Sequence, residues 1–248
     1  GRYQEAANLH RTNLADHEHI LGPHHPDTLT SRGNLANALY DLGRYQEAAN
    51  LHRTNLADHE HILGPHHPDT LTSRNNLALG LHALGRYEEA ADLHRTTLAD
   101  RERTLGPDHS NTYQSRNNLA LALHALGRYR EAVDLHRTTL ADRERTLGPD
   151  HAESLISRNN LANALRDLGR HQEAVDLHRT TLADRERTLG PHHPHTLLSR
   201  HYLALALHAL GRYEEAVDLH RTTLADRERT LGPDHPHTLQ SRTNLALR

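Results

Sequence analysis

Apolar residues along this chain recur at helical spacing and then stop at the same two kinds of glycine. In the stretch Leu84–Pro107, LGRYEEAADLHRTTLADRERTLGP, the residues Tyr87, Ala91, His94, Leu98 and Leu105 share one face of a predicted helix. A turn glycine precedes that helix and a Gly-Pro pair ends it. The turn glycine recurs at Gly1, Gly43, Gly85, Gly127, Gly169 and Gly211, and the glycine of the Gly-Pro pair at Gly22, Gly64, Gly106, Gly148, Gly190 and Gly232. Between each Gly-Pro and the next turn glycine lies a shorter helical pattern, with Leu71, Ala78 and Leu81 on its apolar arc. Its start carries proline and aspartate, as at Pro26-Asp27, which suit a first helical turn.

The period is 42 residues throughout. A fixed period of that size, with no unique stretch outside it, predicts an all-α α-solenoid of antiparallel helix pairs, about twelve helices in all. The chain divides as a single array: a half repeat at 1–26, full repeats at 27–68, 69–110, 111–152, 153–194 and 195–236, and a half repeat at 237–248. First-type helices of about 16 residues and second-type helices of about 20 give rods of roughly 24 and 30 Å.

Composition narrows the chemistry. Of 248 residues 35% are apolar, and Phe, Trp, Met and Cys are absent, so the core has to be built from Leu and Ala. All 29 basic residues are arginine, interspersed with 32 acids to a formal charge of −3, so no basic stripe marks a nucleic-acid surface. No apolar run approaches the roughly 18 residues of a membrane span. The expected compartment is the cytoplasm, and the absence of lysine and phenylalanine suggests a bacterial, high-GC coding bias.

At this point the residues resemble a known family. The tetratricopeptide (TPR) pattern W-x2-L-G-x2-Y…A-x3-F…P maps onto Arg74, Leu77, Ala78, Leu81, Ala90, His94 and Pro107, with Gly85 and Tyr87 at the turn. The longer unit, with NNLALxL, GRYEEA and LGPDHP, is similar to the 42-residue variety of kinesin light chain and of the TPR tails of bacterial nucleotide-binding signalling ATPases. The resemblance covers essentially the whole chain. It implies a right-handed superhelix whose first helices line a concave groove for peptide segments of partners, without catalysis. The phosphate-binding G-x-x-x-x-G-K-[ST] cannot occur in a chain without lysine.

Two positions depart from the family pattern. Arginine stands for tryptophan at Arg32, Arg74, Arg116, Arg158, Arg200 and Arg242, inside the apolar arc. A buried guanidinium must be paired, and the second helix supplies Asp100- and Glu102-type acids, so a structural ladder of inter-helix ion pairs is expected. Histidine stands for phenylalanine at His10, His52, His94, His136, His178 and His220, where a ring can pack in the seam and donate a hydrogen bond. Columns repeated at every 42nd residue cannot form the one convergent constellation an enzyme needs, so no catalytic residue is expected.

The 26 histidines invite a metal reading, particularly at His24-His25, His66-His67 and His192-His193. Nothing in their spacing guarantees the four convergent ligands of a structural site, so neither metal nor cofactor is expected. The other face of the first helix carries Asn34, Asn76, Asn118, Asn160, Tyr202 and Asn244. Side-chain amides both donate to and accept from an extended backbone, and the matching family asparagines contact bound peptide. Amide bonds between neighbouring repeats are the equal alternative. Tyr113, Arg166, His171, His201 and Tyr202 break the repeat and carry its specificity. The expected function is a non-catalytic protein- or peptide-binding scaffold, with no nucleic-acid or membrane partner. The alternative is head-to-tail self-association, since residues 1–32 repeat as 43–74 and the chain ends offer complementary halves of one repeat.

Overall fold

The computed structural model describes the backbone of residues 2–246, and side chains within that range other than those of Arg2, Tyr3, Asn244 and Ala246. The described residues form twelve helices and no strand. They are α1 (Arg2–Leu21), α2 (Pro26–Asp41), α3 (Tyr45–Leu63), α4 (Pro68–Ala83), α5 (Tyr87–Leu105), α6 (Ser110–Ala125), α7 (Tyr129–Leu147), α8 (Ala152–Asp167), α9 (His171–Leu189), α10 (Pro194–Ala209), α11 (Tyr213–Leu231) and α12 (Pro236–Ala246). They group into two compact units, Gly1–Arg128 with α1 to α6 and Tyr129–Arg248 with α7 to α12.

Within each unit every helix packs on the next, and one pair of first-type helices also touches, α4 with α6 and α8 with α10. Leucine and alanine make the core. In the first unit Leu14, Leu35, Leu39 and Ala48 form one buried cluster, and Ala49, Leu56, Leu77, Leu81 and Ala90 another. In the second unit Val133, Leu140, Leu161, Leu165, Val175, Leu203 and Leu207 join alanines in a larger one.

The two glycines end helices differently. At the turn glycine Gly43, φ is +76°. The Arg44 N–H donates to Leu39 O and the Gly43 N–H to Tyr40 O, both at 2.9 Å, which satisfies the last carbonyls of α2. The glycine before proline does not adopt the left-handed helical conformation usual at a helix end. Gly64 lies at φ +87° and ψ 163°, because proline clashes with a helical ψ in the residue before it. That region is essentially open to glycine alone.

The loop is closed by side chains. Thr70 Oγ1 donates to Gly64 O at 2.8 Å, and Thr28, Thr112, Thr196 and Thr238 repeat the bond. The loop histidine beside the helix start caps it: His67 Nδ1 accepts from the Asp69 N–H at 3.2 Å, and His25, His109, His151, His193 and His235 do the same. An accepting imidazole nitrogen here does the work usually given to Ser or Asp.

Candidate functional site

The arginines of α2, α4, α8 and α10 draw partners from two directions. Arg74 donates to Glu60 of the preceding α3 at 3.3 Å, to Asp100 of the following α5 at 2.8 Å and to the Pro65 carbonyl at 3.0 Å. Arg32 does so with Glu18, Asp58 and Pro23, Arg158 with Glu144, Asp184 and Pro149, and Arg200 with Glu186 and Asp226. Arg116 takes Glu102 at 2.8 Å. The two acids of one second-type helix are thus divided: Asp100 reaches back to Arg74 and Glu102 forward to Arg116. Arg242 bonds Glu228 but is exposed, unlike the rest, because no second-type helix packs over it within these residues.

Burial alone would push the Asp100 carboxyl up, but hydrogen bonds from Arg74, Arg103 and His66 outweigh it and hold the group below its ordinary value. At Arg158 burial is likewise overcome by Glu144 and Asp184, and the guanidinium is raised. Breaking such a pair from one side costs about 3–5 kcal/mol, because the other charge stays buried.

A second polar join was not singled out by the sequence patterns. Arg101, nearly fully buried in α5, donates to Ser115 Oγ at 2.9 Å and to the Asn111 carbonyl at 3.0 Å, tying α5 to the start of α6. Arg143, Arg185 and Arg227 make the same two bonds with Ser157, Ser199 and Ser241 and the carbonyls of Glu153, His195 and His237. In the first two second-type helices the residue is histidine. His59 Nδ1 meets Ser73 Oγ at 2.7 Å, and His17 Nδ1 meets Ser31 Oγ at 2.8 Å. The signal lay in the spacing of 14 residues between each Arg or His and the serine before the ladder arginine.

The histidine column lies in the seam. His52, His94, His136, His178 and His220 are buried, while His10 in α1 is half-buried. The expected hydrogen bond is missing at two of them: Nδ1 of His94 has no partner, and neither ring nitrogen of His178 has one. Burial pushes His52, His94 and His178 down to about 4, with neighbouring charges adding to it at His94 and His178. His201, at a position that breaks the repeat, is also brought down to about 4 by burial and by nearby Arg227 and His220. Among the described residues no three His, Asp or Glu side chains gather as metal ligands.

The asparagine column is not uniform. In the first unit Asn34 is exposed, Asn76 is half-buried, and Asn118 is buried with its Nδ2 donating to Asn75 Oδ1 at 2.9 Å. In the second unit Asn160 and Tyr202 are half-buried, and Tyr202 stacks on His178 with ring centres 6.0 Å apart. The Asn244 side chain lies outside the described residues. Between α2 and α4, over α3, a cleft of about 380 Å³ is lined by Gly33, Asn34, Asn55, His59, Asp69 and Asn76 among others. The repeat patterns do not mark Gly33 and Asn55 as site residues. A glycine in a helix interior, where the following repeats carry Asn75, Asn117 and Asn159, was the available signal.

Paired helices repeated at a fixed period, with polar columns along one helix type, define a helical-repeat protein. The tetratricopeptide-repeat family model matches residues 1–57, 33–103, 71–145, 112–187, 153–228 and 196–247, and the chain belongs to that family. Two crystal structures of nearly identical TPR-like repeats from Podosopora anserina, named for a kinesin light chain, are similar to it. One is 34% identical, with a TM-score of 0.77 over 84% of this chain and 98% of that one; the other, also 34% identical, has a TM-score of 0.76 over 83% and 98%. BtubC (BKLC) from P. vanneervenii shares the fold at 19% identity, with a TM-score of 0.76 over 95% of this chain and 94% of that one. Comparison with curated protein sequences finds no match. No helix among the described residues is long and apolar enough to cross a membrane.

Proposed function

We propose that the chain is a non-catalytic scaffold that binds an extended peptide segment of a protein partner along the amide-bearing face of its first-type helices. The observation that carries this reading is the cleft between α2 and α4, where Asn34 and Asn76 stand beside open space. Amides suit a peptide backbone because each offers donor and acceptor together. Membership of a repeat family that serves in protein interaction supports it. The test is selection of displayed random peptides on the purified chain, followed by anisotropy titration of a labelled winner. The Asn34→Ala/Asn76→Ala double variant should bind at least tenfold more weakly with an unchanged melting temperature. Equal binding by the variant, or no selected peptide, would overturn the proposal.

A second reading is head-to-tail association of the 248-residue chain, supported by a pair of identical sequences in unlike surroundings. In α3, which α2 covers, Leu51 is half-buried and His52 buried, whereas in α1 the equivalent Leu9 is 72% exposed and His10 half-buried. A first-type helix of a second copy would cover α1 as α2 covers α3. Leu14 is unsuited to testing this, being already buried against Leu35 and Leu39. Light scattering over a concentration series should show growth for the chain and none for Leu9→Glu. Growth unchanged in that variant would remove this reading.

A further inference from the structure

We infer that the cleft between α2 and α4 is an anchor subsite for a carboxamide side chain, asparagine or glutamine, of the bound peptide; this rests on the peptide-binding reading above. Departures from the repeat converge here. In the first-type helices the position of Gly33 is held by Asn75, Asn117, Asn159 and His201 in the following repeats. Across from it, the position of Asn55 is held by Thr97, Thr139, Thr181 and Thr223. Those threonines satisfy themselves, each donating to the carbonyl four residues earlier at 2.6–2.9 Å. Asn55 has no such outlet. It is 5% exposed, and its Oδ1 lacks any partner.

One repeat further on, Asn75 shows what an amide at this position does. Its Oδ1 accepts from Asn118 Nδ2, a residue 43 positions later on the neighbouring first-type helix. The residue 43 positions after Gly33 is Asn76, which lines the cleft. Between α2 and α4 that clasp is therefore short of one carboxamide. Asn55, longer than threonine, takes part of the space: a Cβ built on Gly33 would lie 3.6 Å from Asn55 Nδ2. The rest stays open.

The chemistry of the lining selects the occupant. The group that fills the cleft has to donate to the unpartnered Asn55 oxygen and accept from the Asn76 amide. A carboxylate cannot donate, and ammonium and guanidinium groups cannot accept. Asp69 in the lining further disfavours an anion. Turning both asparagine amides together exchanges the two roles, and a carboxamide still answers both, because it carries one donor and one acceptor end. A site built on hydrogen bonds rejects an analogue that lacks them strongly, since its buried polar groups are left unpaired.

The test extends the displayed-peptide selection. Peptides selected on the chain should share an Asn or Gln at one position, and replacing it by Leu or Glu should weaken binding tenfold or more. In the Gly33→Asn chain, whose new side chain is the one following repeats carry and whose Cβ meets only ordinary contact, the Gln and Leu peptides should bind alike. Asn55→Thr, which restores the residue of later repeats, should also erase the preference, so the outcome does not hang on one variant. Selected peptides that share Lys, Arg, Ser or Thr at that position, or no residue at all, would overturn the carboxamide subsite and leave the groove standing. So would a Gln preference that survives both variants. Failure to select any peptide would sink the groove and the subsite together.

Discussion

The join between a second-type helix and the first-type helix that follows it is built in two ways within this one chain. At α3/α4 a histidine meets the serine alone and at α1/α2 a histidine meets the serine with a longer contact to the Asp27 carbonyl at 3.3 Å, whereas at α5/α6, α7/α8, α9/α10 and α11/α12 an arginine donates to both the serine and a carbonyl in the opening turn of the next helix. The helices of α3/α4 and of α5/α6, α7/α8 and α9/α10 are the same lengths, 19 and 16 residues. The joint itself therefore tolerates a change of chemistry as long as the serine hydroxyl keeps a partner, since an unpaired buried hydroxyl costs about 1–3 kcal/mol. Arg143 also pairs with Glu153 at 2.8 Å, whereas burial pushes Arg101, Arg185 and Arg227 below their ordinary values. At His59 burial acts first and lowers the ring, with Asp69 and Asp58 opposing it.

The largest effect expected would erase this comparison. Burial lowers buried rings beside both kinds of join, His52 next to the histidine type and His94, His178 and the repeat-breaking His201 next to the arginine type. Their folded values of about 4 lie below the ordinary 6.5. The neutral rings stabilise the fold fully above about pH 6.5, and that stability is lost as pH falls toward 4, because unfolding takes up protons. Denaturant melts at pH 7.5 and 5.0 should differ by on the order of 2 kcal/mol per ring, several in total. Equal stability at the two values would mean the rings are charged in the fold.

A smaller effect sharpens the comparison directly. Arg185→Ala removes a nearly fully buried side chain and strands Ser199 and the His195 carbonyl, for a loss of about 3 kcal/mol. His59→Ala strands Ser73 alone from a half-buried site, for about 1 kcal/mol. If urea midpoints place the two variants level, the second bond of the arginine join contributes nothing.

The smallest effect has the opposite sign. At pH 7.5, His178→Phe should raise stability by about 1 kcal/mol, because it replaces a ring whose two nitrogens are both buried without partners. The same change at His52, beside a histidine join, measures whether the seam is independent of the joint. A loss on His178→Phe would show that the site is too tight for the larger ring.

Much of this architecture was legible in the residues. Helix positions followed from the 42-residue period, and the inward phase of Arg74 together with the fixed acids announced inter-helix pairing. How Asp100 and Glu102 would be shared was not legible, because that depends on which neighbouring helix each side chain reaches. The Arg101 and His59 joins escaped notice because a basic residue among many on a polar helix carries no mark of burial. The cleft escaped for a related reason: it comes from a missing side chain at Gly33 and a longer one at Asn55, two residues 22 positions apart that only packing brings together.

The division of each helix's acids between two arginines also bears on how such a chain can change length. Because Arg32, Arg74, Arg158 and Arg200 each take one acid from behind and one from ahead, removing 42 consecutive residues within a unit rejoins a forward-reaching Glu and a back-reaching Asp around the arginine at the cut. Duplicating 42 residues closes the contacts in the same way. The chemistry at each rung is indifferent to how many rungs there are, so copy number is free to drift by recombination between identical stretches such as 1–32 and 43–74, while insertions inside a helix that are not a multiple of 42 residues put the paired charges out of register.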